Sequence, residues 1–401
     1  MQPLEGIRVA DFSHIMAGPY ATHLLRLLGA EVIKIEAPGR GDAMRAYGSD
    51  RAYDGMAPAF IAVNAGKKSL CLDLKDPGSL EAARRLIGRC DVLVENFRPG
   101  VMSRLGLGYA EARALKPDIV YCSVSGYGQS GPLRDWPAID NIVQATSGMM
   151  SLGGEPGDPP VRVGFPVVDT LTGQTAAFAI LAALFRRQRN GEGEYIDVAM
   201  MDASLAFMAS AVVPYLVTGR TMERTGNTGY SGQPTAALFE TADGKRVSLG
   251  VVQQSQFEAL ARLLGRTEWL SDPRYPTADL RRENADSLKA ALGDALRERT
   301  AAEWESQMSA AGIPCGMVRD VAEAASLPHL QQRGLKIPLS IPGLPRQENI
   351  EVVNGGFLFQ HGGPGLNEPP PIHGQHSEAL LQWLGFDAQQ RREISSHSQK
   401  R

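Results

Sequence analysis

Through the first 125 residues, short apolar runs alternate with stretches of helical spacing. This alternation confines the chain to an α/β fold, a mostly parallel sheet with helices on both faces. Residues 7–12 (IRVADF) predict a first strand, and 19–28 predict a helix that stops at Gly29. Further strands are predicted at 31–35, 69–74, 91–95 and 118–124, with a helix over 77–89 and another between the last two strands. Ligands of such sheets bind beyond the carboxyl ends of the strands. The informative residues should therefore lie at 14–18, 37–42, 96–100 and 125–131.

The rest of the chain is organised differently. Val167 and Val168 predict a short strand leading into Asp169, followed by an alanine-rich helix over 171–187. A second apolar helix is expected over 198–217, with Pro214 near its end. Residues 220–233 hold Gly226, Gly229 and Gly232 in a polar run, the composition of a linker or lid. Residues 238–250 predict a hairpin turning at Asp243-Gly244, and helical patterns follow at 256–264, 284–299 and 302–311. With 401 residues, two or three domains are expected. We divide them as a large domain over 1–226, a small one over 227–324, and a return to the large domain with a polar tail over 325–401.

Composition excludes several classes of function. A net charge of −3 argues against a nucleic-acid binder or a polybasic membrane anchor. Cys71, Cys90, Cys122 and Cys315 have no metal-ligand spacing, and the seven histidines form none either, so neither a disulfide framework nor a metal site is expected. The first residues lack the apolar core of a signal peptide, and the longest apolar run, 176–185, is well short of the ~20 residues of a membrane span. A cytoplasmic protein is expected. The turn after Phe12 has no GxGxxG, which disfavours a nicotinamide-dependent oxidoreductase.

Asp169, in the string FPVVDTLTGQ, admits two readings. It can cap the helix that follows it. Alternatively, it can be an ionised carboxylate at a helix N-terminus, poised to attack an activated carbonyl, with Gly164 or Gly173 leaving room for substrate. Lys67, Lys68, Lys75, Arg98 and Arg104 either form a solvated face or converge on a polyphosphate. Asn96-Phe97-Arg98-Pro99-Gly100 has the composition of a ligand loop, and His14 could be structural or orienting.

Read together, these motifs are far more specific. DFSHIMAGPYATHLLRLLGAEVIKIE, GRGD at 39–42, LDLK at 72–75, VENFRPG at 94–100, SGYGQSGP at 125–132, VVDTLTG at 167–173 and GIPCG at 312–316 resemble the class III coenzyme A transferases, such as formyl-CoA transferase and the carnitine-CoA transferase group. The resemblance runs from residue 4 to about 387. It implies a Rossmann-like large domain made from both ends of the chain, a smaller α+β domain, and an interlocked homodimer. It places the nucleophile at Asp169 and an assisting carboxylate at Asp140. Coenzyme A contacts fall on Ile15, Met16, Leu72, Asp73, Leu74, Lys75, Asn96, Phe97, Arg98 and Arg104, and a glycine-rich lid falls near Gly229, Gly232 and Gln233. Coenzyme A is then a substrate, with no permanently bound cofactor.

The sequence departs from formyl-transferring members at Met16 (glutamine there), Ile139 (tyrosine) and Ala37 (arginine). Residues 136–170 are more similar to members acting on small dicarboxylates such as itaconate, mesaconate, citramalate or glutarate derivatives. The implied reaction moves coenzyme A from a succinyl-CoA-like donor to a small acid through an aspartyl anhydride and an aspartyl–CoA thioester. The alternative in the same superfamily is an α-methylacyl-CoA racemase, whose histidine precedes the equivalent of Asp140. Ala138-Ile139-Asp140 has no histidine.

Overall fold

A computed structural model describes residues 1–399; the last two residues of the predicted polar tail, Lys400 and Arg401, lie outside them. The chain divides into two compact units. The first comprises residues 1–150, 162–219 and 328–401, the second residues 151–161 and 220–327.

In the first unit, β1 (Arg8–Asp11) leads through α1 (Ala17–Leu27) to β2 (Glu31–Glu36), and α2 (Pro58–Asn64) precedes β3 (Lys68–Cys71). Next come α3 (Pro77–Ile87), β4 (Val92–Glu95), α4 (Val101–Arg104), α5 (Tyr109–Leu115) and β5 (Val120–Ser125). The segment closes with α6 (Asp140–Thr146), α7 (Val167–Asn190), β6 (Glu194–Ala199), α8 (Met200–Phe207) and α9 (Ala209–Thr218). The six strands form one parallel sheet in the order β3-β2-β1-β4-β5-β6. This order reverses direction between β1 and β4, which opens a crevice at their carboxyl ends.

Alternation along each strand feeds two cores. Ala10, Leu93 and Tyr121 face Ala82, Leu86 and the late residues Leu380, Leu381, Leu384 and Ile394. Val9, Val92, Val94, Val120 and Cys122 face α1 and α7, through Ala21 and Leu25 of one and Ala176, Ala177 and Ile180 of the other. The helices at Ser377–Trp383 and Ala388–Gln399 thus complete the first core.

Several elements differ from expectation. The segment before Asp169 is no strand: Pro166 stands at the N-cap and Val167 already begins α7, because proline's fixed φ and missing N–H suit a helix start. The strand β6 was not predicted, because Glu194 and Asp197 break its apolar pattern. The helix expected over 198–217 begins only at Met200 and breaks after Phe207, where α8 and α9 meet at a bend of 78°. Among the described residues, α7 is long and apolar enough to cross a membrane, but half of that stretch is buried, as in a core helix.

Gly173 is spent on packing rather than on room for substrate. A Cβ there would lie 2.7 Å from the Ala17 carbonyl oxygen and 2.9 Å from the Tyr20 ring. Gly173→Ala should therefore force α1 and α7 apart and cost about 1–3 kcal/mol, measurable as a lowered thermal midpoint.

The second unit has a three-stranded antiparallel sheet, β7 (Leu238–Glu240), β8 (Arg246–Leu249) and β9 (Cys315–Met317), in that order. The expected turn at Asp243-Gly244 joins β7 to β8, with Gly244 at φ +72°. Phe257, Leu260, Leu288, Leu292, Trp304 and Met308 from its helices fill the core beneath this sheet.

Candidate active site

The crevice between β1 and β4 is held by a reciprocal clamp. The His14 N–H donates to Asn96 Oδ1 at 2.8 Å, and Asn96 Nδ2 donates to the His14 carbonyl at 2.8 Å. The His14 ring meets Phe97 edge-on at 5.4 Å, which makes it an orienting part of this clamp. Ile15 follows at φ +67°, a left-handed conformation costly for a β-branched residue. Asp42 accepts the Ile15 N–H at 3.1 Å and is paired at 2.8 Å with Lys34, which also donates to the Ser13 carbonyl. Both partners are fully buried. Such a pair has no water to compete for it, so it fixes the loop firmly.

Of the cations singled out from sequence, Lys67 belongs neither to a solvated face nor to a ligand site. It is buried beneath the loop, 3.0 Å from Asp11, and burial lowers its pKa to about 8. Lys68 pairs with Glu31. Leu72 is a core residue, 1% exposed, so only its backbone can face a ligand. Asp73, Leu74 and Lys75 continue from β3, where Asp73 accepts the Lys75 N–H.

Asp169 caps nothing. The free N–H groups at the start of α7 go to Asp140, whose Oδ2 accepts from Val168 at 2.8 Å and from Asp169 at 3.1 Å. Its Oδ1 accepts from Gln144 Nε2 at 2.6 Å, and Gln144 Oε1 accepts the Val163 N–H. A carboxylate 29 residues upstream thus does the capping, a role that only the folded chain reveals. Among the described residues the Asp169 carboxyl has no hydrogen-bond or ion-pair partner.

The helix N-terminus favours the anion at this position, but burial first, and then the neighbouring charge of Asp140, push the Asp169 carboxyl up to about 7. The expectation of a simply ionised group is thereby corrected: near neutrality the residue is divided between its two forms. Asp140→Asn keeps an oxygen for the cap and removes the like charge. The acid limb of the pH–rate profile should then move toward lower pH, by up to about one unit.

Helix register places Asp169 at the crevice. Gly173 packs on Ala17, and Arg187 near the end of α7 bonds Asp91 and Asp118 at the entrances of β4 and β5. Hence α7, like α1, starts at the carboxyl edge of the sheet. Asp169, four residues before Gly173, stands about 6 Å further toward that edge, at the level of Ile15 and Met16.

A cavity of about 530 Å³ opens on the same edge, lined among others by Asn96, Phe97, Arg98, Ser125, Trp136 and Ile139. Ile139 immediately precedes Asp140 in the chain. Beneath the cavity, Glu95 is 4% exposed and accepts the Phe97 N–H at 2.9 Å, and burial pushes its carboxyl up to about 7. Glu95 and Trp136 were missed from sequence. VENFRPG drew attention to its loop residues and not to the strand's last carboxylate, and Trp136 sits in a run (LRDWP) with no catalytic spacing.

The structure thus gathers His14, Ile15, Met16, Asn96, Phe97, Arg98, Asp140 and Asp169 at one edge of the first unit. Arg104 ends α4, one turn beyond the NFRPG loop. Gly229, Gly232 and Gln233 belong to the second unit, where the Gly232 N–H donates to the Gly229 carbonyl and Gln233 Nε2 donates to the Ala278 carbonyl.

A doubly wound parallel sheet with a half-buried, unpaired carboxylate at its carboxyl edge has the architecture of an α/β enzyme whose site is built on loops. The chain belongs to the CoA-transferase family III, whose family model matches residues 4–377. It is 41% identical to an acetyl-CoA:oxalate CoA-transferase of Acetobacter aceti, over 90% of this chain and 92% of that one. It is 35% identical to a succinyl-CoA:glutarate CoA-transferase of Mus musculus, over 95% and 86%. A crystal structure of a CAIB/BAIF family protein from Brucella suis superposes with a TM-score of 0.84 at 30% identity, covering 96% of this chain and 99% of that one. The protein is a CoA-transferase, and these relatives give no support to the racemase alternative.

Proposed function

We propose that this CoA-transferase moves coenzyme A from a succinyl-CoA-like donor to a small dicarboxylic acid, with Asp169 as the covalent nucleophile. The observation that carries the reading is the unpaired Asp169 carboxyl at the crevice, relieved of capping duty by Asp140. In the ionised form, an Asp169 oxygen attacks the thioester carbonyl and the carbon–sulfur bond breaks. An aspartyl–acyl anhydride and the coenzyme A thiolate result. The thiolate then attacks the aspartyl carbonyl, which expels the donor acid and leaves an aspartyl–CoA thioester. The acceptor carboxylate attacks that thioester in turn, and the thiolate released collects the new acyl group and frees Asp169. Each step exchanges one activated acyl bond for another, so no step has to climb far. In this reading Ile15, Met16, Asn96, Phe97, Arg98 and Arg104 hold the coenzyme, together with the 72–75 loop.

The dicarboxylate preference draws on the relatives, whose names pair succinyl-CoA or acetyl-CoA with glutarate and oxalate. Incubation with succinyl-CoA or acetyl-CoA and a panel of oxalate, glutarate, mesaconate, citramalate and itaconate, together with the monocarboxylates propionate and lactate, followed by chromatography of the CoA esters, tests it. Transfer to at least one dicarboxylate is expected, and exclusive transfer to monocarboxylates would overturn the preference.

The proposal includes a homodimer of interlocked chains. It is supported by large apolar side chains exposed on α7 to α9, such as Phe178 (74%), Phe207 (65%) and Val217 (77%), more than a lone subunit ordinarily shows to water. Light scattering should give twice the chain mass.

A further inference from the structure

Among the described residues, three arginines on neighbouring segments of the first unit have no ion-pair partner. Arg98 follows β4, Arg104 ends α4, and Arg134 comes from the loop after β5. A Cβ built on Gly100 would lie 3.1 Å from Arg104 Nη1 and 3.7 Å from Arg134 Nη2. The two guanidinium groups are therefore within about 7 Å of each other, a distance at which like charges repel unless an anion joins them. Arg98 and Arg134 line the same cavity, between Phe97 and Trp136. Among the described residues none of the three guanidinium groups has a carboxylate or carbonyl partner. By contrast, other arginines of this unit, such as Arg45 and Arg187, are tied to Glu36 and Asp91.

We infer that Arg134 is a third phosphate-binding side chain of the acyl-CoA site, acting with Arg98 and Arg104 on the phosphates of the coenzyme's nucleotide end. The inference rests on the coenzyme contacts proposed above and adds a residue that they do not contain. A phosphate suits the cluster better than the carboxylate of a small acid. It brings up to two negative charges and three acceptor oxygens, which match several guanidinium forks at once. The flanking Phe97 and Trp136 rings give the adjoining apolar and aromatic parts of the ligand a surface. Gly100, at φ +80°, is what lets the chain turn tightly enough beneath the two guanidinium groups.

The test compares wild type, R134Q and R134K with three donors: succinyl-CoA, succinyl-dephospho-CoA and succinyl-pantetheine, which has no nucleotide. R134Q should raise KM for succinyl-CoA about 10-fold with kcat within about twofold, and should leave KM for succinyl-pantetheine unchanged. R134K should recover most of the loss. Adenosine 3′,5′-bisphosphate should inhibit wild type and inhibit R134Q about 10-fold less well. Equal KM for succinyl-CoA in wild type and R134Q would overturn the inference, as would an equal loss with succinyl-pantetheine. Failure of the underlying reading looks different: wild type itself would show no preference for succinyl-CoA over succinyl-pantetheine.

Discussion

Replacing Asp169 by Ala should reduce CoA transfer by about 10³-fold or more, because in the mechanism we propose every covalent step passes through this one carboxyl. The fold should survive, since the side chain makes no hydrogen bond and the start of α7 is capped by Asp140. Intact-mass measurement after mixing with succinyl-CoA should show the aspartyl–CoA adduct on wild type and none on D169A. Hydroxylamine should convert the wild-type adduct to a hydroxamate at position 169. An adduct that persisted in D169A would show the nucleophile to be another residue. Loss of activity alone would be weaker evidence, because a displaced helix end could also cause it, and so the adduct is the decisive measurement.

Asp169→Asn should make the protein more stable while it inactivates it. The carboxyl titrates near 3.8 when exposed and near 7 in the folded chain. The folded state therefore holds this proton more tightly than the unfolded state. Its contribution is wholly favourable below about pH 4 and is lost as the pH rises through 7. At pH 8 the ionised, half-buried side chain costs on the order of 2–4 kcal/mol relative to an exposed one. An uncharged amide of the same shape escapes that cost. The thermal midpoint of D169N should exceed that of wild type by about 3 °C at pH 8, with the gap shrinking steadily toward pH 5. A gap independent of pH would mean that the carboxyl is not strained by burial in the way described. Catalysis should follow the same titration in wild type, rising with pH as Asp169 ionises near 7.

Much of this was legible in the sequence, but unevenly. The first five strands were, because each is an apolar run bounded by a turn or a helix stop, and their carboxyl ends pointed to His14, Asn96 and the residues around them. The sixth was not: Glu194 and Asp197 break the apolar pattern, and its pairing with β5 comes from tertiary context. Asp169 stood out in sequence, yet its two readings could be separated only by learning which group caps α7, and that group, Asp140, lies 29 residues away. Lys67 shows the converse. A lysine beside a second lysine suggests a basic surface, whereas the fold inserts it between Asp11 and Thr22 in the interior. Charge identity is written in the sequence, but charge pairing is a property of the packed chain.

The first core takes Leu380, Leu381, Leu384 and Ile394 from the helical segment synthesised last, whereas the second unit is complete by residue 327. A nascent chain leaving the ribosome can therefore finish the later-starting body while the earlier one still exposes a bare side of its sheet. Truncation near residue 375 would leave that side open to chaperones and to aggregation, even though every residue of the catalytic crevice would already have been translated.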